Sequence, residues 1–172
     1  MKLIVNRVPL LLLTLLLGAC SGPDLNSVPP AGFSLQGEWE LVRDQSGLGA
    51  EGDDYIRMRS GNRQELARGG MARDFPVVRA DAMRIEQNRD SMGISYSTGD
   101  YRDVSWGRRD RGMWQINAGW VDDQLYIISE AHDAKGTEVM SLSPDGKILR
   151  VSVEIDAGEK VQLERVYRRS GS

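Results

Sequence analysis

Apolar side chains recur at every second position over much of the chain. This holds in residues 114–120, 149–155 and 161–164, where polar side chains occupy most of the positions between them. A period of two with one polar face is typical of antiparallel strands that cover a core on one side. The pattern predicts one strand over Gly37 to Asp44 and eight more after residue 82.

Turn-forming residues separate these strands at a nearly constant spacing. The turns are centred near residues 89, 99, 110, 122, 134, 145 and 157, so they lie 10 to 12 residues apart, as expected for antiparallel hairpins. Short consecutive strands tend to close into a barrel, because closure removes exposed sheet edges. The sequence therefore predicts a mainly β domain, a single antiparallel up-and-down β-barrel of about 8–10 strands, with an open β-sandwich as the alternative.

The segment 45–82 does not alternate. Asn62 to Met71 favours a short helix, with Ser60 as a candidate cap and Gly69 and Gly70 at its end. We therefore expect a short helical insertion after the first strand.

Residues 1–19 form a different kind of segment. Lys2 and Arg7 flank the start of an apolar run, Leu10 to Leu17, which small residues follow. This is the pattern of a secretory signal peptide, and its apolar core is shorter than the roughly 20 residues that a spanning helix needs. Residues 1–19 are therefore predicted to be an export signal.

The signal ends in Leu17-Gly18-Ala19-Cys20, which resembles the lipobox of bacterial lipoproteins. The resemblance implies cleavage before Cys20, lipid on its thiol and an acylated amino terminus, which together hold a protein firmly on a membrane. Ser21 stands where lipoprotein families place the Asp of inner-membrane retention, so the resemblance implies an outer-membrane protein that faces the periplasm. An ordinary secreted protein with one free cysteine is the alternative.

Charge and proline content add two expectations. Without residues 1–19 the chain has 20 basic and 25 acidic side chains, a net charge of −5, which disfavours nucleic-acid binding. Residues 20–35 contain three of the six prolines and no apolar period. We expect a lipidated amino terminus and flexible tether over 20–35, followed by the barrel domain over 36–169.

Short motifs mark the two ends of this domain. The first strand contains Gly37-Glu38-Trp39, and the last contains Arg165-Val166-Tyr167. A Gly-x-Trp in the first strand with an Arg in the last resembles the calycins, which include the lipocalins and the fatty-acid-binding proteins, and the likeness is greatest to the latter. The resemblance implies a barrel that Gly37, Trp39 and Arg165 close, with Arg165 covering Trp39.

The same resemblance implies a ligand site. In fatty-acid-binding proteins the matching Arg-x-Tyr pair holds the ligand's carboxylate, so Arg165 and Tyr167 are the candidate ligand-binding residues. Arg165 shares its parity with apolar residues of the last strand, and a buried guanidinium needs a partner. Stacking on Trp39 or pairing with a core acid are the alternatives to holding a ligand.

Residues for catalysis or cofactor chemistry form no recognisable group. His132 is the only histidine and lies at a predicted turn, and the chain has no G-x-S-x-G. Asp53-Asp54 and Asp122-Asp123 suit solvated turns better than a metal site. The G-x-G-x-x-G pattern from Gly47 to Gly52 lacks the βαβ unit of a dinucleotide site. The sequence therefore predicts no enzyme, cofactor or metal centre.

Two main functional hypotheses follow, and a hydrolase built from carboxylates, which only an assay would detect, is a third. The first is a noncatalytic protein, held on the membrane by lipid on Cys20, that binds a small apolar or amphipathic ligand inside a lipocalin-like barrel. The alternative is a structural or assembly accessory of the envelope that contacts a protein partner through its outer face, with a filled barrel. The interior volume of the barrel distinguishes the two main hypotheses. A cavity on the order of hundreds of Å³ favours ligand binding, whereas a closely packed interior favours the accessory.

Overall fold

A computed structural model describes residues 22–46, 74–157 and 160–171. Its ten antiparallel strands form one sheet. Two short 3-10 helices, Arg43–Gln45 and Pro76–Val78, complete the regular structure of these residues. None of the helices in the described ranges has the length and apolar character needed to cross a membrane. The strands are β1 (Gly37–Leu41), β2 (Ala82–Gln87), β3 (Ser91–Tyr96), β4 (Tyr101–Ser105), β5 (Gly107–Arg111), β6 (Trp114–Val121), β7 (Gln124–Glu130), β8 (Lys135–Leu142), β9 (Ile148–Asp156) and β10 (Lys160–Arg169).

The sheet wraps back on itself because its first and last strands pair. β1 pairs with β10, with Trp39 opposite Arg169 and Leu41 opposite Tyr167, and its other side pairs with β2. The two edges are β4 and β5, which follow each other in the chain. The result is a nearly closed up-and-down barrel, which confirms the predicted architecture over the open sandwich.

The number of strands differs from the sequence prediction. The pattern predicts nine strands, whereas the described residues form ten. Between the turn near residue 99 and a turn over Arg109 to Gly112, the pattern predicts a single strand. The structure instead has two strands, β4 and β5, on either side of Trp106. β5 is largely exposed and pairs with β6 on one side. A charged edge strand has no buried face and so carries no apolar period.

Apolar side chains from the inward-facing positions fill the core. Full burial of one such side chain contributes about 1.5–3 kcal/mol, so these positions dominate the stability of the sheet. Large members with less than 2% exposure are Trp39, Phe75, Ile85, Met92, Ile94, Leu125, Ile127, Met140, Leu149 and Tyr167.

Residues 75–80, which we call the inserted segment, also lie in this core. Phe75, Val77 and Ala80 are almost completely buried. The ring of Phe75 lies over Gly136 of β8, where a Cβ atom would be 2.0 Å from the ring, and it meets Trp114 edge-on at 5.7 Å. The barrel admits this ring because β8 has no side chain there. The helix predicted over Asn62 to Met71 lies outside the described residues.

The described part of the predicted tether packs on the barrel rather than extending from it. Asn26 and Trp120 exchange two main-chain hydrogen bonds of 2.8 and 2.9 Å. Phe33 packs edge-on against Trp120 at 4.7 Å, and Leu35 is fully buried. The prolines disfavour strand pairing but do not prevent these contacts. The sequence did not predict them because this segment has no apolar period.

Candidate ligand-binding site

A cation closes one end of the barrel over Trp39. This cation is Arg169, whose guanidinium lies 4.2 Å from the centre of the Trp39 ring system and donates to the carbonyl oxygens of Gln36 and Gly146. Gly37 makes the space, because a Cβ atom there would lie 2.6 Å from Nη1 of Arg169. Gly37 and Trp39 thus lie together at this end, as the resemblance implies.

Arg165 does not take the predicted place over Trp39. It precedes Arg169 by four positions in β10, a separation of roughly 13 Å along a strand. Both arginines have the same parity, so the period of two does not distinguish them. The distinguishing feature is register, since Trp39 faces Arg169 across the β1–β10 pair.

Arg165 and Tyr167 instead lie inside the barrel and bind the inserted segment. Nη2 of Arg165 donates to the carbonyl oxygen of Ala80 at 2.9 Å. The Tyr167 hydroxyl lies 3.0 Å from the same oxygen and 3.1 Å from that of Val77. Burial raises the pKa of the Tyr167 hydroxyl, and the nearby Arg165 partly offsets the rise. The structure brings the predicted pair together, with main-chain carbonyls as its partners.

A second buried group, which the sequence analysis did not single out, joins β4, β7 and β8. Arg102 forms an ion pair with Glu138 and donates to the hydroxyl oxygen of Ser129 at 3.2 Å. All three side chains are buried, and Glu138 is fully so. Glu138 shares its parity with Gly136 and Met140, so a search for charged residues on the apolar side of a strand could have found it.

Electrostatics favour the charged form of the Arg102 guanidinium. Burial alone lowers its pKa, but the adjacent Glu138 and Tyr96 together outweigh burial, and the pKa is raised. Tyr96 lies beside the pair, and burial, followed by the effect of Glu138, raises the pKa of its hydroxyl. We call Tyr96, Arg102, Ser129 and Glu138 the polar cluster.

The polar cluster adjoins a pocket of about 390 Å³. Arg102 and Ser129 line it together with the apolar side chains of Phe75, Trp114 and Ile116. The exposed side chains of Tyr101 and Met113 lie at its mouth. The indole nitrogen of Trp114 donates to Asp74 at 3.1 Å, which ties β6 to the start of the inserted segment. The charged side chains of Asp74, Asp100 and Arg111 also line the pocket. Apolar walls combined with buried and charged polar groups suit a small amphipathic molecule.

The remaining candidate residues lie elsewhere. His132 is exposed in the turn between β7 and β8, and Asp122 and Asp123 lie in the turn between β6 and β7. Within the ranges the structure describes, no three His, Cys, Asp or Glu side chains are grouped as a metal site would require. Cys20, Asp53-Asp54 and the segment Gly47 to Gly52 lie outside the described residues.

Comparisons with known proteins agree with this architecture. No protein-family model matches the chain, and no curated protein matches it. The REP1-NXSQ fatty acid transporter is similar in structure, with a TM-score of 0.52, 15% identity, and coverage of 80% of this chain and 97% of that one. Human cRBP IV has a TM-score of 0.50, 17% identity, and coverage of 80% and 99%. The fold is calycin-like. At these identities the likeness to fatty-acid-binding-type barrels concerns the fold alone.

Proposed function

We propose that the protein is a noncatalytic lipoprotein of the outer membrane that binds a small apolar or amphipathic molecule in its barrel. Lipid on Cys20 would hold it on the membrane, with the barrel facing the periplasm. The pocket of about 390 Å³ carries the binding proposal, because its size and its mixture of apolar walls with buried polar groups suit a small ligand.

A ligand in this pocket would lie beside Arg102 and Ser129, which line it, and not beside Arg165 and Tyr167, which do not. The latter pair already donates to carbonyl oxygens of the inserted segment. A direct role for Arg165 and Tyr167 in holding a ligand therefore stays a prediction. Their contacts also support the pocket, since they fix the segment to which Phe75 belongs.

Photolabelling tests the proposal. The full chain, purified from membranes into lipid nanodiscs, is illuminated with photoreactive dodecyl probes, and the labelled residues are located by mass spectrometry. Fatty chains are suitable first probes because one of the similar barrels is a fatty acid transporter. We expect saturable labelling at Phe75, Trp114 or Ile116. Labelling spread over the outer surface, or none, would exclude the pocket as a ligand site.

Two surface variants provide a matched comparison. Met113 and Val28 are both exposed apolar side chains, at 70% and 60%, but only the former lines this pocket. Met113→Glu places a charge at the mouth and should reduce labelling by about tenfold, because an apolar chain must pass a solvated carboxylate. Val28→Glu should leave labelling unchanged. Equal effects of the two variants would show that labelling does not depend on this mouth.

The inserted segment favours one second candidate, the envelope accessory with a filled barrel. Phe75, Val77 and Ala80 occupy interior space. The carbonyl oxygens of Val77 and Ala80 accept hydrogen bonds there from Tyr167 and Arg165. Under this alternative, crosslinking in cells gives a defined protein partner, and Arg165→Ala lowers stability without any effect on probe labelling. Saturable labelling of the pocket together with no reproducible partner would reject it.

A further inference from the structure

The charge of the polar cluster is already balanced. Arg102 is its cation, and Glu138, which is fully buried, is in direct contact with it as the anion. A ligand carboxylate arriving at Arg102 would therefore place a second anion beside Glu138. Two carboxylates at one buried site disfavour each other's ionised form, and a buried charge without its own partner is costly.

The pocket reaches this cluster through two of its members. Arg102 and Ser129 line the pocket, whereas Glu138 and Tyr96 lie behind them. The Tyr96 hydroxyl is hydrogen-bonded to Arg102, which opposes the rise of its pKa that burial causes. A headgroup in the pocket therefore meets the Arg102 guanidinium, which can donate, and the Ser129 hydroxyl, which can donate or accept.

The other interior cation is used differently. Arg165 faces the Ala80 carbonyl at 2.9 Å and lies 4.0 Å from Oδ1 of Asp81. It does not line the pocket of about 390 Å³. At the buried end of the pocket, which Arg102 and Ser129 line, a headgroup therefore meets the charge-balanced pair of Arg102 and Glu138. Arg111 also lines the pocket, but its side chain is exposed to solvent.

Resting on the proposed function, we infer that the polar cluster selects an amphiphile with an uncharged hydroxyl headgroup over the carboxylate of equal chain length. A hydroxyl beside Arg102 and Ser129 accepts from the guanidinium, can donate to the Ser129 hydroxyl oxygen, and brings no second charge. A carboxylate only accepts, and it adds a second anion next to the balanced pair of Arg102 and Glu138.

Head-group competition in the full chain tests this inference. Photoreactive dodecanol labels the pocket in nanodiscs at about pH 8, where carboxylic acids are ionised, and unlabelled dodecanol or dodecanoate competes. We expect dodecanol to compete about tenfold or more better, because a second buried anion beside the Arg102–Glu138 pair is costly. Equal or better competition by dodecanoate would overturn the inference and leave the proposed function standing. If neither photoreactive dodecanol nor photoreactive dodecanoate labelled the pocket, both the inference and the proposed function would be rejected.

Variants locate the selection at Glu138. Glu138→Gln keeps the shape but leaves the Arg102 charge uncompensated, so the preference should shift toward dodecanoate by about tenfold or more. Glu164→Gln is the matched control, because Glu164 pairs with Arg150 at 2.9 Å on the exposed face of the sheet, and it should leave the preference unchanged. An unchanged preference in folded Glu138→Gln would overturn the inference.

A double variant covers the case in which Glu138→Gln does not fold. Replacing a buried ion pair by apolar residues of similar volume is often neutral for stability, so Arg102→Met with Glu138→Leu should retain the barrel. We expect it to bind the dodecyl chain with little preference between the two headgroups. Retention of the full preference for dodecanol by this folded variant would contradict the assignment.

Discussion

The Tyr167 hydroxyl connects two parts of the chain that lie far apart in sequence. It is within 3.1 Å of the carbonyl oxygens of both Val77 and Ala80, and its side chain is fully buried. Without this hydroxyl one hydrogen-bond donor is lost from the interior. Arg165 still donates to the Ala80 carbonyl, whereas the Val77 carbonyl loses the Tyr167 hydroxyl. The hydroxyl therefore contributes to the free energy of unfolding as a buried hydrogen bond does.

Tyr167→Phe measures this contribution. We expect the free energy of unfolding to fall by about 1–2 kcal/mol, because a buried carbonyl loses its donor. Tyr126→Phe is the matched control, since the Tyr126 hydroxyl makes one solvent-exposed contact of 3.3 Å with Gln124 and should change stability by less than about 0.5 kcal/mol. Urea unfolding of both variants is the measurement. Equal losses would show that the contacts with the inserted segment carry no particular weight.

Two buried tyrosines also predict a loss of stability in alkali. Burial raises the pKa values of Tyr96 and Tyr167 above the usual value in an unfolded chain, which is about 10. Their contribution is fully present below about pH 10 and is lost as the pH rises above it, because the unfolded chain releases its protons first.

Urea titrations from about pH 8 to about pH 11 test this dependence. Tyr96→Phe should reduce the alkaline loss of unfolding free energy, because one of the two phenols no longer ionises on unfolding. Tyr101→Phe, at a side chain that is 62% exposed, is the control and should retain most of the loss. If the control reduced the loss as much as Tyr96→Phe, burial would not be its cause.

At the scale of elements, the inserted segment depends on a gap in β8. The Phe75 ring occupies the space over Gly136, where even a Cβ atom would approach to 2.0 Å. Phe75 also contacts Trp114 and lies 5.9 Å below the Arg102 guanidinium. Displacement of this ring would therefore change both the apolar wall and the polar base of the pocket.

Gly136→Ala tests that dependence. We expect a loss of about 1–3 kcal/mol, the usual cost of overpacking a core, together with a change in pocket labelling. Gly93→Ala in β3 is the control. There a Cβ atom would meet the Tyr101 hydroxyl at 2.5 Å, but this side chain is exposed and can move aside, so the change should be less than about 1 kcal/mol. Comparable losses would mean that the Phe75 ring is not tightly held.

Sequence reasoning predicted elements well where local chemistry determines them. The turn at Pro144-Asp145-Gly146 and the alternation of β9 are confirmed, because both depend on the residues themselves. It did not predict β5, whose charges face solvent, or the inserted segment, whose burial comes from strands distant in sequence. The polar cluster was missed for a related reason, since the pairing of Arg102 with Glu138 depends on how strands meet across the barrel.

At the scale of the whole molecule, the contact of Asn26 with Trp120 and the pocket lie at opposite ends of β6. Asn26 is fixed to Trp120 near the end of β6. It lies six positions after Cys20 in the chain, which allows a reach of at most about 22 Å. Trp114, at the pocket, begins the same strand. With lipid on Cys20, a short connection would hold the barrel near the membrane while the mouth of the pocket faces away from it. Ligand exchange would then occur with the aqueous side.

Cys20→Ala tests the anchoring on which this orientation depends. In a Gram-negative host the native chain should incorporate labelled palmitate and lose residues 1–19, because cleavage follows lipidation of the cysteine that the lipobox resemblance identifies. The variant should incorporate no palmitate and should keep the mass of the uncleaved precursor. Ser21→Ala is the control and should be labelled as the native chain is, whereas Ser21→Asp should be labelled but fractionate with the inner membrane. Palmitate labelling that persisted in Cys20→Ala would contradict the lipoprotein assignment and, with it, the orientation of the pocket away from the bilayer.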